Sequence, residues 1–218
     1  MRTLYANGCS FTLGDELNHP EVERFPSIIA HTRNMFVTNE ARCGAGNEEI
    51  CRKTMNYLME YIDSGKDPKD LDVVSRWEYY DEGWKGLTPN SVSNTQNAPY
   101  YYYGLFQSTE KDMLDFMWEV MVVESFLKKH NINYFFFKID AGQHIMWNQT
   151  GAEIIDGFDL DKVNKLYVEN IDTNRFPSLI NPSETFREFS LEYAGLKPEH
   201  HPNEKAHELF AEYIMDRL

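Results

Sequence analysis

Hydrophobic and polar positions along this chain fall into short apolar runs and longer stretches with helical spacing, and the two alternate. Thr3 to Ala6 is an apolar-leaning run that stops at the turn pair Asn7-Gly8 and predicts a first, central strand. Phe25-Pro26-Ser27 opens a helical pattern through Ile28, Ile29 and His31, with the proline where a helix start has no use for an N–H. Met35 to Thr38 predicts a second strand. Cys43-Gly44-Ala45-Gly46-Asn47 then reads as a tight loop into a helix that carries Ile50, Met55, Leu58, Met59 and Ile62 and ends near Gly65. Asp72 to Trp77, with the β-branched pair Val73-Val74 behind a polar turn, predicts a third strand.

Thr109, with Asp112 three residues later, starts a long helix through Met113, Phe116, Met117, Val120 and Phe126 to His130, in which Met113, Met117 and Met121 read as a core stripe. Ile132 to Ile139 is a nearly continuous apolar run, the signature of a strand buried on both faces of a parallel sheet. Residues 159–169 are weakly helical, 174–182 irregular, and a last helix from Pro202 or Asn203 to Leu218 repeats apolar residues at Ala206, Leu209, Phe210, Tyr213 and Ile214. The alternation predicts an α/β protein, a mostly parallel sheet flanked by helices, in one domain over 1–218.

The stretch 79–108 breaks the pattern. It is rich in Tyr, Asn, Ser, Gly and Pro and too long for an ordinary connection, so it reads as an insertion or lid. Tyr100 to Tyr103 within it would either line a carbohydrate or aryl-ester site or cover the core or a dimer contact, and the covering role is preferred. Hydrophobic residues at 42% and aromatics at 14% supply enough apolar surface for the chain to fold alone.

The net charge of −14 argues against a nucleic-acid partner, which needs a basic surface, and against anionic membranes. Three cysteines, Cys9, Cys43 and Cys51, without a CxxC pair suggest neither a disulfide framework nor a zinc site. The expectation is a protein with reduced thiols, no metal and no cofactor. No long apolar segment follows Arg2, and no run reaches the ~18 residues of a membrane span, so a soluble, cytoplasmic protein is expected. Nothing in the sequence sets the oligomeric state.

Two segments carry candidate chemistry. Gly8-Cys9-Ser10-Phe11-Thr12-Leu13-Gly14-Asp15 follows the first strand, and a serine there is presented to the crevice above the sheet, where open α/β sheets bind ligands. The same serine is also a plausible helix cap. Glu199-His200-His201-Pro202-Asn203 precedes the last helix, and a histidine there can approach the serine with a nearby carboxylate fixing its tautomer. These two histidines, and a third at His207 in the same stretch from Glu199 to His207, would otherwise be surface residues or a weak metal site, though no further spacing completes a zinc constellation.

The first segment, GCSFTLGDEL, resembles the nucleophile block of SGNH/GDSL hydrolases, and HPNEKAHELFAEYI resembles their closing block. Between them, ARCGAGNEEI over 41–50 looks like their second block. The resemblance implies a three-layer α/β/α sandwich with a flavodoxin-like sheet, and an esterase or acetylhydrolase acting on a small-molecule or carbohydrate ester. It implies Ser10 as nucleophile, His201 as base, and an oxyanion hole from the backbone N–H groups of Ser10 and Gly46 with help from Asn47.

The chain departs from the family in two places. The GxND block after the third strand is replaced by Val74-Ser75-Arg76-Trp77-Glu78, and Ser75-Arg76-Trp77-Glu78-Tyr79 is similar to a stretch of phage-type members, so a phage-type member is expected. In that stretch Arg76, with Ser75 beside it, would replace the missing donor, bind an anionic substrate group, or form a structural ion pair. The usual Asp three residues before the histidine is Pro198, and Glu199 is the substitute expected. The competing expectation is a non-catalytic SGNH-like binding or structural module. A nucleotide-binding protein is disfavoured, because Gly44-Ala45-Gly46 lacks the rest of a phosphate-binding glycine motif.

Overall fold

A computed structural model of the chain describes residues 1–77, 109–139, 169–179, 181–195 and 201–218. The insertion at 79–108 with Tyr100 to Tyr103, nearly all of the weak helix at 159–169, and Glu199 with His200 lie outside these residues.

Among the described residues, four parallel strands form one sheet: β1 (Thr3–Asn7), β2 (Phe36–Asn39), β3 (Leu71–Arg76) and β4 (Asn133–Phe137), in the order β2-β1-β3-β4. Ala6 lies between Asn39 of β2 and Val74 of β3, and Val74 pairs in turn with Phe135 of β4. The chain goes from β1 to β2 on one side and returns to β3 on the other. The topological switch point therefore lies between β1 and β3, and a crevice opens at their carboxyl ends in folds of this type.

Helices cover both faces. On one, α4 (Asn47–Asp63) and α5 (Thr109–His130) bring Ile50, Leu58, Phe116, Val120, Val123 and Leu127 against Tyr5, Val73, Tyr134 and Phe136. On the other, α3 (Phe25–Thr32) and α7 (Glu204–Met215) bring Phe25, Ile29, Phe210 and Ile214 against Leu4, Val74, Phe135 and Phe137. The period-two alternation of the strands divides their side chains between two buried layers, which is why INYFFFKI reads as continuously apolar. Each fully buried large side chain in these layers contributes about 1.5–3 kcal/mol.

Strand starts shift from the expected positions for a local reason. Met35 and Ile132 close the preceding helices, their N–H groups donating to Ala30 O at 2.8 Å and Leu127 O at 3.0 Å. Asn34 and Asn131 make these turns in the left-handed region, at φ 53° and 54°. Two short helices, α1 (Ser10–Leu13) and α2 (Pro20–Glu23), fill the loop after β1.

The segment expected to be irregular, 174–182, holds 3-10 turns at Pro177–Leu179 and Pro182–Glu184, and α6 (Phe186–Tyr193) follows them. The cap of α6 is Thr185, which accepts from Glu188 N–H, so a Ser/Thr-x-x-Glu signal was present in the sequence. The methionine stripe is displaced: Met117 and Met121 are only partly buried at the rim, while Phe116, Val120, Val123 and Leu127 are buried. Spacing by fours drifts about 40° per step around a helix, so a line of fours leaves the core-facing side.

Candidate functional site

The carboxyl end of β1 is fixed before any functional side chain is placed. Asn7 is buried, and its Nδ2 donates to Tyr5 OH at 3.1 Å, Ile50 O at 3.2 Å and Thr54 Oγ1 at 3.1 Å. Its Oδ1 accepts from Gly8 N–H at 2.9 Å. At Gly8 a Cβ would stand 2.2 Å from Thr12 Oγ1 and 3.0 Å from Arg76 Cβ, so only glycine admits the close turn into α1 and the approach to the end of β3. Ser10 is the first residue of α1, with Cys9 as its N-cap, directly after the central strand at the switch point.

The second segment lies against the first. Arg42 N–H donates to Gly8 O at 3.0 Å, and Asn39 Nδ2 donates to Thr12 O at 3.0 Å. Gly46 is the N-cap of α4 and Asn47 its first residue, so the opening N–H groups of α1 and α4 have no acceptor within their own helices. Asn47 is buried, and its Oδ1 accepts from Nη1 of the buried Arg76 at 3.3 Å. Ser75, fully buried in β3, pairs with Asn7. Cys43 Sγ faces Asp15 Oδ2 at 3.6 Å, where desolvation, and after it the Asp15 carboxylate, push the thiol up. Burial pushes Cys51 up to about 12. Both thiols are therefore held protonated and are poor nucleophiles.

The far end of the chain returns to this place. Asn203 caps α7, accepting from Ala206 N–H at 2.9 Å and donating from Nδ2 to Ala194 O at 2.8 Å. Two residues before the cap, the His201 ring sits 5.1 Å from the Phe11 ring, centroid to centroid. His201 Nδ1 lies 2.9 Å from Glu16 Oε1, with the two side chains 19% and 18% exposed. Asn18 Nδ2 bridges the same two segments by donating to Glu204 Oε1 at 3.3 Å. Ser10 Oγ itself is directed at Cys9 Sγ, 3.9 Å away.

Glu16 was not among the residues singled out by sequence. It is 185 positions from its partner, and no spacing rule relates the two. The carboxylate at Nδ1 is thus supplied from the serine's own loop.

His207, expected at the surface or in a weak metal site, is instead a core residue. It is fully buried between Phe25 and Phe186, and its Nδ1 accepts from Phe25 N–H at 3.1 Å. Desolvation lowers it to about 3, so this imidazole is neutral and structural. Among the described residues there is no cluster of three or more His, Cys, Asp or Glu side chains that could hold a metal. No helix among them is long and apolar enough to cross a membrane.

No protein-family model matches the sequence, and no curated protein matches it significantly. Solved structures do match the fold over nearly the whole chain. The structure of TesA aligns with TM-score 0.56 at 12% identity, covering 100% of this chain and 98% of that one. A lipolytic protein of the G-D-S-L family from Veillonella parvula aligns with TM-score 0.52 at 13% identity, covering 99% and 97%. The psychrotrophic esterase EstA from Pseudoalteromonas sp., in a structure inhibited by monoethylphosphonate, aligns with TM-score 0.53 at 11% identity, covering 100% and 96%. The parallel sheet and its two helical layers are those of the SGNH hydrolase fold.

Proposed function

We propose that this chain is a serine hydrolase of carboxylic esters, with Ser10 as nucleophile and His201 as general base. The observation that carries the proposal is the meeting of the two ends of the chain at the switch point of the sheet. The His201 ring packs on Phe11, next in sequence to Ser10, at the carboxyl end of β1. Fold alone does not specify chemistry, and it is this juxtaposition that supports the acyl-transfer reading.

In the proposed cycle Ser10 Oγ turns about χ1 from Cys9 towards His201, a change between staggered rotamers. His201 Nε2 takes the hydroxyl proton as Oγ attacks the ester carbonyl, and an acyl-enzyme forms as the alcohol leaves with that proton. Water, deprotonated by the same imidazole, then releases the acid. The tetrahedral oxyanion is held by the N–H groups of Ser10 and Gly46, which open or cap helices where donors are unspent. Asn47 assists: with its Oδ1 held by Arg76, the side turned from the guanidinium is the donating Nδ2. Arg76 thereby orients the residue that replaces the family's usual third donor.

The test is labelling by a fluorophosphonate together with hydrolysis of p-nitrophenyl acetate. Wild-type protein is expected to be labelled at Ser10, and Ser10→Ala or His201→Ala to lower the hydrolytic rate on the order of 10³-fold or more. Full activity in folded Ser10→Ala would overturn the assignment. A second reading, a binding module that has lost the chemistry, is favoured by one observation, the Oγ facing Cys9 rather than the imidazole. A folded wild-type protein that is neither labelled nor active would establish it.

A further inference from the structure

Resting on that hydrolytic reading, we infer that Glu16 is the positioning carboxylate of the site, fixing His201 as the Nδ1–H tautomer and leaving Nε2 as the basic nitrogen. The resemblance to SGNH/GDSL hydrolases suggested Glu199, which lies outside the described residues; the carboxylate found at Nδ1 is Glu16, of the nucleophile's own loop.

Three observations converge. Nδ1 and Glu16 Oε1 are 2.9 Å apart, and an ionised carboxylate can only accept, so the proton between them belongs to Nδ1. The second oxygen, Oε2, is buried without a hydrogen-bond partner among the described residues, so the imidazole is the hydrogen-bond donor this carboxylate answers to. Finally, Glu16 adopts φ 67°, in the left-handed region. A glutamate there is strained where glycine would not be, and strain of this kind persists where the surroundings over-determine a side chain's position.

The bracing around the pair fits this role. Gly14, at φ 83°, turns the chain out of α1 so that Glu16 doubles back towards the helix that follows His201. The Asn18–Glu204 contact joins the same two segments. The carboxylate stays off the reacting atoms and acts through the imidazole. It keeps the ring from flipping and stabilises the imidazolium that forms when Ser10 loses its proton.

The strain supplies an unusual test. Glu16→Gly removes the carboxylate and relieves the backbone, so it should melt no lower than wild type while kcat for p-nitrophenyl acetate falls about 10²- to 10⁴-fold with KM little changed. Glu16→Gln, nearly isosteric, should lose a comparable factor, and Glu16→Asp should recover part of it. The accompanying readout is the spectrum of 15N-labelled histidine in the neutral range. His201 should report Nδ1–H in wild type and in Ser10→Ala, and a tautomer mixture in Glu16→Gly. His207, whose Nδ1 accepts from Phe25 N–H, is the internal reference for the opposite tautomer in every variant.

Full kcat in the Glu16 variants overturns the inference and leaves the hydrolase intact. So does a fall in kcat with the His201 tautomer unchanged, which would mark a structural role. Full activity in Ser10→Ala strikes the hydrolytic reading instead.

Discussion

At the scale of single residues, His201 and His207 of the closing segment lie in opposite surroundings, and burial is what separates them. His201 is partly exposed beside a carboxylate, whereas His207 is sealed among aromatic rings with Phe25 N–H on its Nδ1. Desolvation lowers the His207 value from 6.5 to about 3 in the folded protein. Between those values the unfolded chain binds a proton that the folded chain refuses. Stability therefore rises with pH across this window, is complete above about 6.5, and falls towards pH 3. Denaturant titrations at pH 7 and pH 5 should show wild type losing up to about 1.4 kcal/mol per pH unit from this group. His207→Gln, which keeps an acceptor for Phe25, should flatten that slope; an unchanged slope would refute the assignment. Sequence alone did not make this distinction, because an HP…AH segment shows two imidazoles and neither neighbourhood.

At the scale of elements, the site depends on how α7 begins. Asn203 fixes the first turn by accepting from Ala206 N–H and anchors the preceding loop by donating to Ala194 O just after α6. Asn203→Ala should cost about 1–2 kcal/mol, the usual loss for a cap, measured as a shift of the denaturation midpoint. Because His201 is two residues upstream, the same variant should lower kcat for p-nitrophenyl acetate more than a surface substitution on α7 such as Glu208→Ala. Equal activities would show that the cap does not position the histidine. Helices α4, α5 and α7 were legible from periodicity, since each carries a long amphipathic stripe. Helix α6 was missed: it has only eight residues, and what places it is tertiary, with Phe186 and Arg187 N–H groups bonded to Lys138 O and Ile139 O beyond β4.

Across the whole molecule, the sheet sets a cluster of charged contacts at one end apart from the candidate site at the other. Asp72 is buried near the amino end of β3, where Arg2 holds its carboxylate at 2.8 and 2.6 Å and Asn133 donates at 3.3 Å. Arg33 adds a charge at 3.9 Å. These contacts tie β1, β3, β4 and the end of α3 together at one end of the sheet. The candidate site lies at the other end, about 13 Å along β3 at 3.3 Å per residue. Asp72→Asn should leave the partly exposed Arg2 and Arg33 guanidinium groups without their counter-charge and cost about 1–3 kcal/mol, read by chemical denaturation. The folded fraction should keep wild-type kcat. A loss of kcat in fully folded Asp72→Asn would show that the two ends are coupled.

By itself the sequence determined the fold class, the four strands, the three long helices and the two segments that carry Ser10 and His201. Those are matters of local periodicity and turn chemistry, which act over a few residues and can be read in order along a chain. Tertiary structure alone decided which carboxylate meets His201, which histidine is buried, that Gly8 must have no side chain because Thr12 and Arg76 crowd it, and that Arg76 turns to Asn47. Each of these depends on residues brought together by the crossing of strands, across separations as long as the 185 positions between Glu16 and His201, where sequence spacing holds no information about distance.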